Sequence, residues 1–247
     1  MSEEKARRYA DKVLLRELEQ GFQSLELKLN TVPCSRGDFA FTTISFGQWD
    51  VNAPEEDKRL LALIDTVMLR VRRNGHGEDH KPVVFPKLVY LFDKNQVHGD
   101  LHSEGLFTEA VKTSSTCMYP DYLSISSDHG TVSRLFREEG VITSPMGCRA
   151  YLSPWKDPET GKYVTIGRCN IGAVSLNIPL MIKVAMTEYP ADWRAKFWDI
   201  LDDRLSVIRG FLKKRYDVIR NQRCSSNPLA FTQGGFYKGT KDPDERV

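Results

Sequence analysis

Apolar residues recur at helical spacing from the start of the chain. Val13, Leu14, Leu18, Phe22, Leu25 and Leu29 form one stripe, which predicts a helix over residues 2–29. Ser2 ahead of Glu3 and Glu4 offers a cap and an acidic first turn. Pro33 and Gly37 break the pattern, and the β-branched and aromatic run 39–46 predicts a strand. Asn52-Ala53-Pro54 opens a second helix, 55–73, whose buried side is Leu60, Leu61, Ile64, Val67, Met68 and Val71. Residues 83–92 are apolar on both alternating faces, the mark of a strand covered on both sides and paired in parallel. The pattern then predicts a helix at 103–116, a strand at 122–125 and a helix at 130–139. A Pro- and Gly-containing loop at 145–154 follows, with strands at 163–167 and 171–178. Two helices, 179–188 and 191–220, are parted by Pro190, with Ala191-Asp192 as a cap, and from Cys224 onward the composition predicts an extended segment. Helices alternating with buried strands define an α/β class. No internal repeat, low-complexity tract or domain boundary stands out.

Composition narrows the classes without naming one. The 247 residues carry 35 Lys+Arg against 33 Asp+Glu, a formal net charge of +2, with 40% hydrophobic residues. Disordered chains have fewer apolar residues and a larger net charge. The longest apolar run, near 83–92, is interrupted by Pro86 and Lys87 and falls far short of the ~20 residues of a membrane helix. So balanced a charge gives no electrostatic case for nucleic acid or a membrane surface as partner. Five cysteines, at 34, 117, 148, 169 and 224, are odd in number and include no C-x-x-C pair. Reduced thiols in a cytoplasmic protein are the simplest expectation. The charged N-terminus has no apolar core of a secretory signal.

The common site motifs are missing. There is no G-x-x-x-x-G-K-[ST], no G-x-G-x-x-G and no G-x-S-x-G. His76/His80 and His98/His102 have the H-x-x-x-H spacing of a helical zinc site, but glycines flank or interrupt both pairs, and solvated loop histidines are the plainer reading. Cys148 stands out. It lies in the loop Ser144-Pro145-Met146-Gly147-Cys148-Arg149-Ala150-Tyr151-Leu152, with a glycine before it and an arginine after it. A glycine allows close backbone approach to a ligand, and an adjacent guanidinium lowers a thiol pKa. An inert loop cysteine is the plain alternative, and a dyad with His129 has no support beyond nearness in sequence.

Several short segments together resemble the catalytic subunit of the anaerobic (class III) ribonucleoside-triphosphate reductases, a glycyl-radical family. They are Leu29-Asn30-Thr31, Ser35-Arg36-Gly37, Phe41-Thr42-Thr43, Phe85-Pro86-Lys87-Leu88-Val89, Met118-Tyr119-Pro120-Asp121, Pro145-Met146-Gly147-Cys148-Arg149, Gly167-Arg168-Cys169-Asn170-Ile171-Gly172 and Val174-Ser175-Leu176-Asn177. They occur in family order with family-like spacing over about 29–180.

The resemblance implies part of a ten-stranded α/β barrel, with a finger loop that carries a cysteine through its centre. Cys148 matches that cysteine. In the family it becomes a thiyl radical, which takes hydrogen from the ribose C3′ of a ribonucleoside triphosphate. Asn170 matches an asparagine near the substrate ribose, and a turn between two strands is its alternative role. Ser35 and Arg36 match a segment that leads into a barrel strand, where they either touch substrate or only shape a turn. The resemblance implies formate as reductant, a glycyl radical as the radical store and a radical-SAM activating enzyme as partner.

The family's ATP-cone, first barrel strands, four-cysteine zinc site and glycyl-radical loop have no counterpart in this sequence. The expectation is therefore residues 1–247 as a partial reductase barrel, a fragment or one piece of a split enzyme. It would be inactive until other reductase segments or a homodimer partner complete it. A fragment of an adenosylcobalamin-dependent reductase, and a non-catalytic remnant that binds nucleotide or a partner chain, are the alternatives.

Overall fold

The computed structural model describes residues 3–34, 37–146, 149–166, 170–232 and 242–246. They form two compact units, 1–151 and 152–247. The first unit runs α1 (Glu3–Thr31), β1 (Thr43–Phe46), α2 (Glu55–Asn74), β2 (Lys87–Phe92), α3 (Lys94–Gly99), α4 (Leu101–Cys117), β3 (Asp121–Ser124) and α5 (Thr131–Glu139). The three strands make one parallel sheet in the order β1-β2-β3. Sequential parallel strands need crossovers long enough to return the chain, and the helices between them supply these.

The central strand explains the layering. Leu88 and Tyr90 of β2 face α2 and α4, where they pack with Phe46, Trp49, Met68, Leu69, Leu106 and Ala110. Val89 and Leu91 face the other way and pack with Ile125, Leu123 and the α5 residues Val132 and Phe136. Residues on both faces of β2 are buried, as the apolar pattern on both alternating faces predicts. Each fully buried side chain of this size stabilises by about 1.5–3 kcal/mol. Helix α4 starts where the Asp100 carboxylate accepts the Ser103 N–H at 2.9 Å, and it ends at Met118 in the left-handed region.

The second unit contains a two-strand antiparallel ribbon, β4 (Trp155–Lys156) with β5 (Tyr163–Val164), then α6 (Ile178–Glu188) and α7 (Trp193–Arg220). Asn177 caps α6 by accepting the Leu180 N–H at 3.0 Å. A 3₁₀ turn at Cys224–Ser226 and one helical turn, α8 (Pro228–Phe231), follow. Among the described residues no helix is long and apolar enough to cross a membrane.

Several sequence expectations change. The strands at 39–46 and 83–92 shorten to β1 and β2, because ladder pairing starts only at Thr43 and Lys87. The strand expected at 163–167 is reduced to Tyr163–Val164. The strand expected at 171–178 is absent: the described residues 170–177 have no ladder partner, and Ile178 already begins α6. The segment after Cys224 is not wholly extended, since it makes the 3₁₀ turn and α8.

A buried carboxyl sits at the carboxyl end of β1. Gly47 has φ +87°, and a Cβ there would stand 2.6 Å from the Tyr90 ring. Glycine is therefore required on both counts. Its N–H donates to Asp65 Oδ2 at 3.2 Å. Burial pushes the Asp65 pKa up from 3.8 to about 7, and the Gly47 bond only partly opposes it. The folded chain then holds a proton that the unfolded chain releases. This contribution to stability is full below about 3.8 and lost as pH rises through about 7. Asp65→Asn should therefore gain on the wild type as pH climbs through that window, by ~1.4 kcal/mol for each pH unit crossed. Urea unfolding across the window measures it, and parallel stability curves for the two proteins would contradict it.

Candidate functional site

The amino ends of the strands are organised around a buried charge. Arg72 of α2 is completely buried. Its Nε donates to Glu26 Oε1 of α1 at 2.6 Å, and its Nη2 donates to the Pro86 carbonyl at 2.7 Å. The second Glu26 oxygen meets His76 Nε2 at 2.7 Å. Asn30, one turn after Glu26, donates to the Phe85 carbonyl at 2.6 Å and accepts the N–H groups of Val84 and Phe85 at 3.1 Å. One turn of α1 and one of α2 thus fix the chain as it enters β2.

That contact passes to β3 through Tyr119. The Arg72 guanidinium carbon lies 5.4 Å from the Tyr119 ring centroid, and the Lys87 ammonium lies 4.9 Å from the same centroid. Lys87 Nζ also donates to the Tyr119 hydroxyl. Cations over an aromatic face gain most where water is excluded, as at Arg72. Two residues on, Asp121 opens β3 in register with Val89, which is itself in register with Ser45.

Asp121 holds Arg149. Arg149 Nε and Nη2 donate to the two Asp121 carboxylate oxygens, each at 2.9 Å, in the fork geometry that suits a guanidinium and a carboxylate. This pairing raises the Arg149 pKa further above its ordinary value, the hydrogen bond to Asp121 being the largest cause. Arg149 has φ 62°, an unfavourable region for a residue with a side chain. The backbone is tied there as well: Arg149 N–H donates to the Met146 carbonyl at 2.8 Å, and Met146 N–H donates to the Ala150 carbonyl at 2.9 Å. Thr143 Oγ1, Ser144 Oγ and Tyr151 Oη in the same segment are buried and have no hydrogen-bond partner among the described residues.

The sequence-derived candidates fall unevenly on this geometry. Cys148, Ser35 and Arg36 lie outside the described residues. Asn170 is exposed, and its Oδ1 accepts the Gly172 N–H at 2.9 Å, a local turn bond of the kind asparagine favours. His76 is held by Glu26, and His102 meets Glu55 at 2.7 Å. No group of three or more His, Cys, Asp or Glu among the described residues is arranged to hold a metal ion.

A family model described as anaerobic ribonucleoside-triphosphate reductase matches residues 6–247. The chain belongs to that family. The anaerobic ribonucleoside-triphosphate reductase of Escherichia coli (strain K12) is 32% identical over 231 residues, covering 92% of this chain and 29% of that protein. The Haemophilus influenzae reductase is 31% identical over the same length, with the same shares. The Enterobacteria phage T4 reductase is 28% identical over 242 residues, 97% of this chain and 37% of that protein. This reductase-family chain therefore spans 29–37% of the length of these curated relatives.

Sequence reading of this reductase segment missed Glu26, Arg72 and the role of Lys87. The signals were faint. Glu26 falls on the apolar side of the first stripe, between Phe22 and Leu29, and Lys87 interrupts an otherwise apolar strand. Arg72→Met should lower stability by about 3–5 kcal/mol, because it removes the buried charge partner of Glu26 and leaves that carboxylate with His76 alone. Adding Glu26→Leu should recover much of that loss. Denaturant unfolding of the single and double variants checks this, and additive losses would contradict a coupled pair.

Proposed function

We propose that this chain is the part of an anaerobic ribonucleoside-triphosphate reductase that carries the thiyl-radical cysteine, and that Cys148 is that residue. The observation that carries the reading is the family match over residues 6–247, which includes the Pro145-Met146-Gly147-Cys148-Arg149 segment. The ties at Met146, Arg149 and Ala150 support it, because a radical relay must be held in register with its substrate. The buried hydroxyls of Thr143, Ser144 and Tyr151, which have no hydrogen-bond partner among the described residues, fit a segment that meets further polar groups in a more complete assembly. The three parallel strands are part of the ten-stranded barrel, and residues 1–247 are a partial barrel.

The chemistry asks for sulfur. The Cys148 S–H bond breaks, and the hydrogen atom leaves with one electron. The sulfur radical then takes the hydrogen atom from ribose C3′, which re-forms S–H. The 2′-hydroxyl takes up a proton and leaves as water, formate supplies two electrons and a proton as it becomes carbon dioxide, and the Cys148 S–H then returns its hydrogen atom to C3′. A glycyl radical on another segment supplies the acceptor for the first hydrogen atom, after a radical-SAM activating enzyme has installed it. The Asn170 amide is suited to bond sugar hydroxyls, and the family resemblance makes Ser35 and Arg36 further candidates for contact with substrate. A cytoplasmic location fits a thiol that must stay reduced.

In an active reductase carrying this segment, Cys148→Ser should reduce deoxyribonucleotide formation to background. Cys34→Ser and Cys117→Ser should retain most of it, since Cys34 is exposed and Cys117 makes only weak bonds to nearby carbonyls. Turnover assays on the three variants measure this. Equal losses in all three would point to general destabilisation and contradict the assignment.

A further inference from the structure

We propose that Lys87 and Thr43 form a binding site for a small oxyanion, a carboxylate or phosphate group, at the amino edge of the parallel sheet. Strand alternation defines the surface that carries them. Ile44 and Phe46 of β1 and Leu88 and Tyr90 of β2 pack toward α2 and α4. Thr43, in register with Lys87, therefore faces the other way, as does Ser45, in register with Val89 and through it with Asp121. Helix α5 packs on the carboxyl half of this second face, against Val89 and Leu91. The amino half is polar, with Thr43, Lys87 and Asp121 on neighbouring strands.

Charge decides what this edge can take. Arg72 is answered by the Glu26 carboxylate and Arg149 by that of Asp121, whereas no carboxylate among the described residues pairs with Lys87. The Lys87 ammonium lies 5.7 Å from the Phe85 ring centroid and 4.9 Å from that of Tyr119, and it gives one N–H to the Tyr119 hydroxyl. An ammonium has three donors, so two remain. Lys87 is half-buried, and a charge shielded from bulk water attracts an anion more strongly. Beside it, Thr43 Oγ1 is buried and has no hydrogen-bond partner among the described residues. Residues in register on neighbouring strands lie about 4.8 Å apart. One oxyanion can therefore accept from the ammonium and the hydroxyl together, and a charge-assisted bond is roughly twice as strong as a neutral one. The site itself stands on described residues alone. Which anion fills it rests on the reductase reading, in which a triphosphate and formate both take part.

Isothermal titration calorimetry of the full chain in chloride buffer tests this with three probes: sodium formate, inorganic phosphate and tripolyphosphate. At least one should bind at a single site per chain, more weakly as potassium chloride is raised. Lys87→Met should weaken that binding about tenfold or more. Thr43→Val should weaken it about threefold, and Lys87→Arg should retain it. Binding of formate alone assigns the site to a carboxylate, and binding of phosphate or tripolyphosphate assigns it to a phosphate group.

No binding of any probe, or binding that Lys87→Met leaves unchanged, would overturn the inference. If thermal melting shows Lys87→Met unfolded, Thr43→Val decides, and an unchanged affinity there would overturn it. The two readings also fail separately. If Cys148→Ser is inactive in an intact reductase but anion binding ignores Lys87, this inference alone fails. If Cys148→Ser still reduces substrate while the anion binds through Lys87, the relay reading alone fails.

Discussion

A permanently charged side chain with no access to water constrains everything around it. Arg72 is such a group, and its needs fix the amino-terminal edge of the sheet. It requires a carboxylate, and Glu26 places α1. It requires a carbonyl, and Pro86 places the entry to β2. Its guanidinium carbon lies over the Tyr119 ring, which places the chain before β3. Buried ion pairs of this kind are poor contributors to net stability, but breaking one is costly. Their value here is in specifying which segments meet.

From that edge the order passes outward to the segment 143–151. Tyr119 carries Lys87 on its ring and hydroxyl, and Asp121 follows it by two residues. Asp121 in turn grips Arg149, next to the cysteine that the family resemblance singles out. A rigid sheet thus holds a loop through one charged contact, the arrangement expected where a reactive group must be positioned on irregular backbone. The opposite, carboxyl-terminal end of β1 is organised differently, with Gly47 and the buried Asp65 close to the Tyr90 ring.

Local physics was easy to read in the sequence, and long-range pairing was not. The two-sided apolar pattern of 83–92 located the central parallel strand, helical stripes located α1 and α2, and the break at Pro190 located the start of α7, each within a few residues. Helix α3 escaped because six residues are too few to show a period. Its start depends on Asp93, whose side chain accepts the Asn95 N–H. The β-branched run near 171–178 looked like a strand but has no ladder partner among the described residues. Asp121 and Arg149 both lie within motifs that carry the family resemblance, yet nothing in the sequence links them across 28 positions. Glu26 and Arg72, 46 apart, are no easier to pair from the sequence. Cys148, Ser35 and Arg36 lie outside the described residues, so their roles rest on the sequence, and the Asn170 side chain makes a local bond to the Gly172 N–H.

The claim at the centre of this account is that Cys148 passes a hydrogen atom between a stored radical and the ribose. Electron paramagnetic resonance on an intact reductase carrying this segment tests it most directly. With the radical installed, the account predicts that Cys148→Ser loads the glycyl signal as fully as the wild type. It also predicts that the signal stays undiminished, and no deoxyribonucleotide forms, when ribonucleoside triphosphate and formate are added. A variant that loads the radical and still reduces substrate would contradict it.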